Sequence, residues 1–188
     1  MQAQILRLNK AGQAMEWINF ESAACLYSKD QVLWTFGETA ARLNGGHSRL
    51  TGKRSFLDIA SVIATDGQIH QRHSRVPALS NYALFQRDEH LCMYCGKPFS
   101  RSELTRDHVI PQARGGKNTW TNCVAACKPC NNFKGCRTPE EAHMSLLAVP
   151  FRPNISEYLA LANRNILADQ MEFLVKGFSN NMRAKING

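Results

Sequence analysis

The sequence holds no internal repeat and no low-complexity tract, which excludes solenoids, propellers and linker-like chains. No apolar run approaches the roughly 20 residues that a membrane helix needs. The opening MQAQILRLNK lacks the apolar core of a secretory leader. A cytoplasmic protein with no membrane partner is therefore expected. Acidic side chains are scarce, with 15 Asp and Glu against 23 Lys and Arg, for a formal net charge of +8. The excess is uneven: residues 91–152 hold nine Lys and Arg against four Asp and Glu, or +5 in a third of the chain. A basic segment of this kind suits a polyanion, nucleic acid first. The seven cysteines are an odd number, and in a reducing compartment paired cysteines bind metal more often than they form disulfides.

What is present reads as mixed α and β. Residues 4–8 and 32–36 have strand composition, the second ended by Gly37, and residues 57–65 form a further candidate strand. Phe20, Ala23, Ala24 and Tyr27 fall at helical spacing and predict a helix over 20–29. Residues 43–53, with Asn44-Gly45-Gly46, read as a loop. A basic connector follows, carrying His70, Arg72, His73 and Arg75. Ser80 is placed to cap a helix over 81–89. Thr138, Pro139 and Glu141 make a capping box that predicts a helix to about residue 147. A last helix is expected over 156–176, stopping at Gly177 and followed by a polar tail.

The sharpest pattern is a pair of CxxC turns. Cys92-Met93-Tyr94-Cys95 and Cys127-Lys128-Pro129-Cys130 are separated by 31 residues. Each turn places two thiolates on one side of a tight loop, and two turns together make a closed S₄ tetrahedron suited to zinc. Gly96 supplies the permissive backbone that such a turn requires. With all four positions filled by protein, this zinc is structural. Cys25, Cys123 and Cys136 have no spaced partner and read as small buried apolar residues.

Between the turns stands Thr105-Arg106-Asp107-His108-Val109-Ile110-Pro111, then Arg114-Gly115-Gly116-Lys117, then Trp120-Thr121-Asn122 and a short apolar run. The second turn leads into Asn131-Asn132-Phe133-Lys134. The order is strand, long loop, strand, helix: a ββα unit with zinc at its base. Trp120 reads as core packing. His108 is a natural general base toward water. Its neighbour Asp107 faces the other side of a regular strand, so the two converge only if the strand bends.

The combination CxxC, DHVIP, GG, WxN and CxxCNxxK resembles the HNH endonuclease family in its four-cysteine variety, closely over residues 92–134. More loosely, RVPALSNYALFQRDEHLCMYCG, RTPEEAHMSLL and ILRLNKAG are similar to bacterial restriction-like HNH proteins. The resemblance implies that Asp107 turns to bind a catalytic metal. It makes Asn122 the second letter of the motif, orienting His108 or holding the loop, and Asn131 the third, where the family often has His. Asp107 and Asn131 offer oxygen, which suits Mg²⁺ or Mn²⁺. Lys134, one turn beyond Asn131, is a candidate catalytic and phosphate-contacting residue. Arg106, Arg114 and Lys117 are candidates to grip a DNA backbone.

The expected class is α+β: a zinc-stapled ββα-metal, treble-clef-like module over 77–151, a mixed α/β region over 1–76 whose role the sequence does not specify, and a C-terminal helix and tail over 152–188. The expected activity is divalent-metal-dependent hydrolysis of DNA. A homodimer or two successive nicks would serve to cut both strands. The competing readings are a non-catalytic zinc module that binds nucleic acid and a zinc-stapled protein-interaction domain. Neither needs Asp107, His108 and Asn131 together.

Overall fold

Ile5, Leu6 and Leu8 are fully buried, and they form the centre of strand β1 (Ile5–Asn9). A turn at Asn9–Gln13, closed by the Asn9 side chain on the Gln13 backbone N–H (2.9 Å), returns the chain as β2 (Ala14–Ile18). Helix α1 (Phe20–Ser28) starts where Asn19 accepts the Ser22 N–H at 2.8 Å. The long strands β3 (Val32–His47) and β4 (Arg54–Thr65) follow. The sheet order is β2-β1-β4-β3, with β1 parallel to β4 and the other neighbours antiparallel. This computed structural model describes residues 4–66, 77–163, 165–180 and 182. The expected connector with His70, Arg72, His73 and Arg75 lies outside the described residues.

Helix α1 lays Ala23 against Ile5, Ile59 and Ile63, all fully buried, with Phe20, Ala24 and Tyr27 packed around them. Each buried Ile contributes about 1.5–3 kcal/mol of apolar transfer. The chain divides into two compact units, Met1–Arg75 with Ile155–Gly188, and Val76–Asn154. The C-terminal segment forms two helices, α4 (Ile155–Ala162) and α5 (Ala168–Lys176), where the pattern predicted one. The interruption lets Gln170, fully buried at the start of α5, donate to the backbone of Gln4 and Ser61 at 2.7 and 2.8 Å while accepting from Leu167. Glu157 on α4 accepts from the backbone and hydroxyl of Ser179, and the Trp17 indole donates to Leu159 O.

Strand β3 does not stop at Gly37. That glycine has φ +83°, and a Cβ there would lie 2.1 Å from an Asp169 carboxylate oxygen and 2.2 Å from Ser61 Oγ. Asp169 accepts from Ser61 Oγ (2.5 Å) and from the Glu38 N–H (2.9 Å), so the glycine marks a bulge where α5 clamps the sheet. Of the expected loop at 43–53, residues 43–47 continue β3, and residues 48–53 form the turn. Gly45 permits Ser55 to approach, since a Cβ would meet its hydroxyl at 2.3 Å.

In the second unit α2 (Asn81–Arg87) begins at Ser80, whose Oγ accepts the Ala83 N–H. Strands β5 (Leu104–His108) and β6 (Cys123–Cys127) pair antiparallel without a break, and α3 (Lys128–Lys134) follows directly. The ββα order read from the sequence is present, and the class is α+β. The capping box at Thr138 and Glu141 closes in both directions (3.0 and 3.3 Å), but only turns follow. His143 takes a positive φ of 52°, and Leu147 N–H instead donates to Met93 O beside the first CxxC turn. A tertiary contact overrides the local helix preference there. Among the described residues no helix is long and apolar enough to cross a membrane.

Candidate active site

The four thiols of Cys92, Cys95, Cys127 and Cys130 lie within 4.8 Å of one another. The first pair sits on a knuckle in which Gly96, φ +73°, returns its N–H to Cys92 O and Lys97 O accepts from Cys92 N. The second pair spans the end of β6 and the first turn of α3. Burial works to raise the Cys92 thiol, but backbone donors at Cys127, Cys95 and Tyr94 outweigh it and bring it down to about 7. Cys130 is pushed up, first by burial and then by the adjacent sulfurs of Cys127 and Cys92. Such crowded thiols resist ionising together unless a cation sits among them. The donor set therefore fits a structural zinc, whose bonds of about 2.3 Å would draw the sulfurs slightly inward. Of the other cysteines, Cys123 is buried as expected, whereas Cys25 and Cys136 are exposed.

Strand β5 keeps its alternation because its register with β6 is unbroken from Leu104 to His108. Thr105 and Asp107 face α3. There Asn131 Nδ2 donates to Thr105 Oγ1 at 2.9 Å, and Lys134 Nζ donates to Asp107 Oδ1 at 3.1 Å and to His108 O at 2.7 Å. Asp107 Oδ2 accepts from the Tyr94 hydroxyl at 2.5 Å. Tyr94 lies between the first two cysteines, and burial, then its bond to Asp107, raise its pKa well above the phenol range, so it remains a donor. Arg106 and His108 face the opposite side. Arg106 Nη1 donates to Asn118 Oδ1 at 2.7 Å, and the same oxygen lies 3.3 Å from His108 Nε2. Arg106 Nε is buried without a partner.

Asp107 and Asn131 thus share one β5–α3 interface, while Asp107 and His108 point apart. The expected turn of Asp107 toward the His108 side is absent, because an unbulged ladder fixes the strand. Lys134 also departs from expectation. It is 1% exposed, and its ammonium is spent on Asp107 and the His108 carbonyl rather than offered to a phosphate. Asn122 holds the loop. Its Oδ1 accepts Ile110 N–H, and its Nδ2 donates to Ile110 O and Lys117 O at 3.1 and 2.9 Å. Gly116 serves the same fold-back, since a Cβ there would fall 1.7 Å from Ile110 O. Arg114 is paired with Glu141 at 2.6 Å, and Lys117 is exposed.

Three contributors went unread in the sequence. Tyr94 was hidden among the zinc-turn residues, and Asn118 in the loop stands four residues before Asn122 without a recognisable motif. Arg87, buried, pairs with Asp88 at 2.8 Å and donates to the carbonyls of Trp120, Phe151 and Cys123. Asp88 in turn accepts the Ala125 N–H at 2.7 Å, so this buried pair fastens α2 to β6 beneath the site. Trp120 is packed in the core as expected, 2% exposed, with its indole on Pro77 O.

The second unit is a zinc-stapled ββα module with a polar face on each side of its first strand. Residues 92–147 match the HNH endonuclease family model, and this segment is an HNH endonuclease domain. A CRISPR-associated endonuclease Cas9 of Corynebacterium diphtheriae is 43% identical over 58 residues, or 30% of this chain and 5% of that protein. The crystal structure of the Type II-C Cas9 enzyme from Actinomyces naeslundii covers 56% of this chain and 13% of its own, at 21% identity and a TM-score of 0.30. The chain therefore spans a small fraction of the length of both relatives.

Proposed function

We propose that this chain is a divalent-metal-dependent endonuclease that hydrolyses phosphodiester bonds in DNA, with a structural zinc on its four paired cysteines. The observation that carries the reading is His108, a half-buried imidazole at the end of β5 whose Nε2 lies 3.3 Å from Asn118 Oδ1 inside a four-cysteine ββα module, while the oxygen donors Asp107 and Asn131 lie on the other side of the strand. The 43% identity to a Cas9 endonuclease over this segment supports the same chemistry. The thiol cluster suits a reducing cytoplasm.

Asp107 is 5% exposed and its two oxygens are held by Tyr94 and Lys134, so a hard cation would take this carboxylate only by displacing the Lys134 ammonium. Asn131 gives its amide hydrogen to Thr105, which leaves its oxygen as the accepting end. Asp107 and Asn131 would hold Mg²⁺ or Mn²⁺, whose chemistry when bound is to offset charge on the leaving oxygen.

The chain's own residues supply the rest. Arg106 donates into Asn118 Oδ1, so the His108 nitrogen facing that oxygen must be the N–H. Nδ1 is then the nitrogen free to take a proton from the attacking water. Asn122 acts as a positioning residue that holds the 109–122 loop, and with it Asn118. Tyr94 and Lys134 fix both oxygens of Asp107. Arg106 and Lys117 remain candidates to touch the phosphate backbone, and Arg114 would have to leave Glu141 to do so. Cutting both strands would take a second copy or a second nick.

The test is nicking of supercoiled plasmid with Mg²⁺ or Mn²⁺ in the presence and absence of His108→Ala, with binding measured alongside. Nicking by the wild type, lost in the variant with binding kept, is the expected result. Binding without nicking by the wild type would favour a non-catalytic nucleic-acid module instead.

A further inference from the structure

Strand β1 pairs with β4 from Val62 to Thr65, so beyond Val62 the β3–β4 pair runs on as a two-stranded ribbon. Its register continues through Arg42↔Asp58, Leu43↔Leu57 and Asn44↔Phe56 to His47↔Arg54. The end is a closed turn, with Ser48 N–H on Lys53 O at 2.8 Å and Gly52 N–H on Ser48 O at 2.9 Å. Every residue from 42 to 56 is exposed. That stretch carries Arg42, Arg49, Lys53 and Arg54 with His47, and no acidic residue. Arg42 is engaged by Asp58 at 2.6 Å and stacks on Phe56 at 4.6 Å, which stiffens the base of the ribbon. Arg49, Lys53 and Arg54 cluster around the turn, where Leu50 is 97% exposed.

A ribbon exposed throughout its outer length buries no core, so its stability gives no reason for its extension from the sheet. Its dimensions and charge do suggest a use. A two-stranded β-ribbon fits a duplex groove, three cations at a tip match phosphates on its rim, and an apolar apex side chain can wedge against a base step. We propose that the β3–β4 ribbon is a DNA-contacting arm, with Arg49, Lys53 and Arg54 on the phosphate backbone and Leu50 presented to the bases. This rests on the DNA endonuclease reading and adds to it a contact outside the HNH domain.

The test uses the full chain and a fluorescent duplex, with anisotropy measured over a salt series. In R49Q/K53Q/R54Q, affinity should fall by about tenfold or more, and the slope of log K against log salt should become shallower by about 2–3. R49K/R54K, which keeps the charge, should retain the wild-type slope. Leu50→Ala should keep the slope while lowering the bend reported by energy transfer between the duplex ends. A triple variant with wild-type affinity and slope overturns the arm and leaves the nuclease reading intact, as does a variant whose only binding loss is to anionic phosphatidylserine vesicles. A wild type that neither binds nor nicks DNA overturns both.

Discussion

At the scale of single residues, the proposed function would have His108 move a proton, with Asn118 fixing which ring nitrogen is free to do so. Asn118→Ala should therefore reduce single-turnover nicking by about 10- to 100-fold, within the range of general-base contributions, with DNA affinity unchanged. An unchanged rate would remove Asn118 from the site. Tyr94 connects the zinc turn to Asp107 through one hydroxyl at 2.5 Å. Tyr94→Phe should raise the Mn²⁺ concentration needed for half-maximal nicking while leaving the zinc content intact. Equal Mn²⁺ dependence in both proteins would show that the hydroxyl does not position Asp107. His108 stood out by its residue type between the two zinc turns, whereas Asp107 and Asn131 were singled out through the family resemblance. Tyr94 and Asn118 were not, because a tyrosine in a cysteine turn and an asparagine in a loop acquire meaning only from what the fold sets opposite them.

At the scale of elements, the zinc turns, β5, β6 and α3 could be read directly, since each has a local pattern that the fold keeps. The errors arose where tertiary contacts outweighed local preference. Gly37 and the Asn44-Gly45-Gly46 run looked like strand ends, yet they are places where Asp169 and Ser55 come too close for a Cβ. Strand β2 was passed over because AMEWI is short and its residues are only half-buried or exposed. The Asp169 clamp gives a test with a sign. Burial works to raise its carboxyl, but Ser61 and the Glu38 and Gln170 backbone hold it below the ordinary carboxylate range. A depressed native pKa means that its stabilisation is present above the unfolded value, roughly pH 4, and is lost as pH falls through the native value. Asp169→Asn should lower the thermal midpoint at pH 7, and the gap from wild type should narrow as pH falls through the native carboxyl value. A gap independent of pH would contradict the clamp. In the loop, Asn122→Ala leaves Ile110 and Lys117 carbonyls without their donor. It should cost about 1–3 kcal/mol in denaturant unfolding, and a near-neutral result would place the loop's restraint elsewhere.

For the whole molecule, two units with separate cores imply two kinds of stability. The first is built on Ile5, Ile59, Ile63 and the latches from α4 and α5. The second is small and depends on the four thiols and the Arg87–Asp88 pair. A strong chelator should therefore melt the HNH domain while the circular dichroism of the sheet in the first unit persists. A single cooperative loss of both would refute that independence. The basic segment read from the sequence pointed to a nucleic-acid partner, but the long exposed ribbon could not be foreseen because its glycines imitate a loop. Central to all of this is the claim that the His108 imidazole removes the proton from water. The most direct measurement is chemical rescue of His108→Gly, assayed for plasmid nicking with Mn²⁺ across added imidazole. His108→Gly should be inactive, with nicking returning in proportion to free imidazole. Nicking by His108→Gly at the wild-type rate without imidazole would contradict that claim.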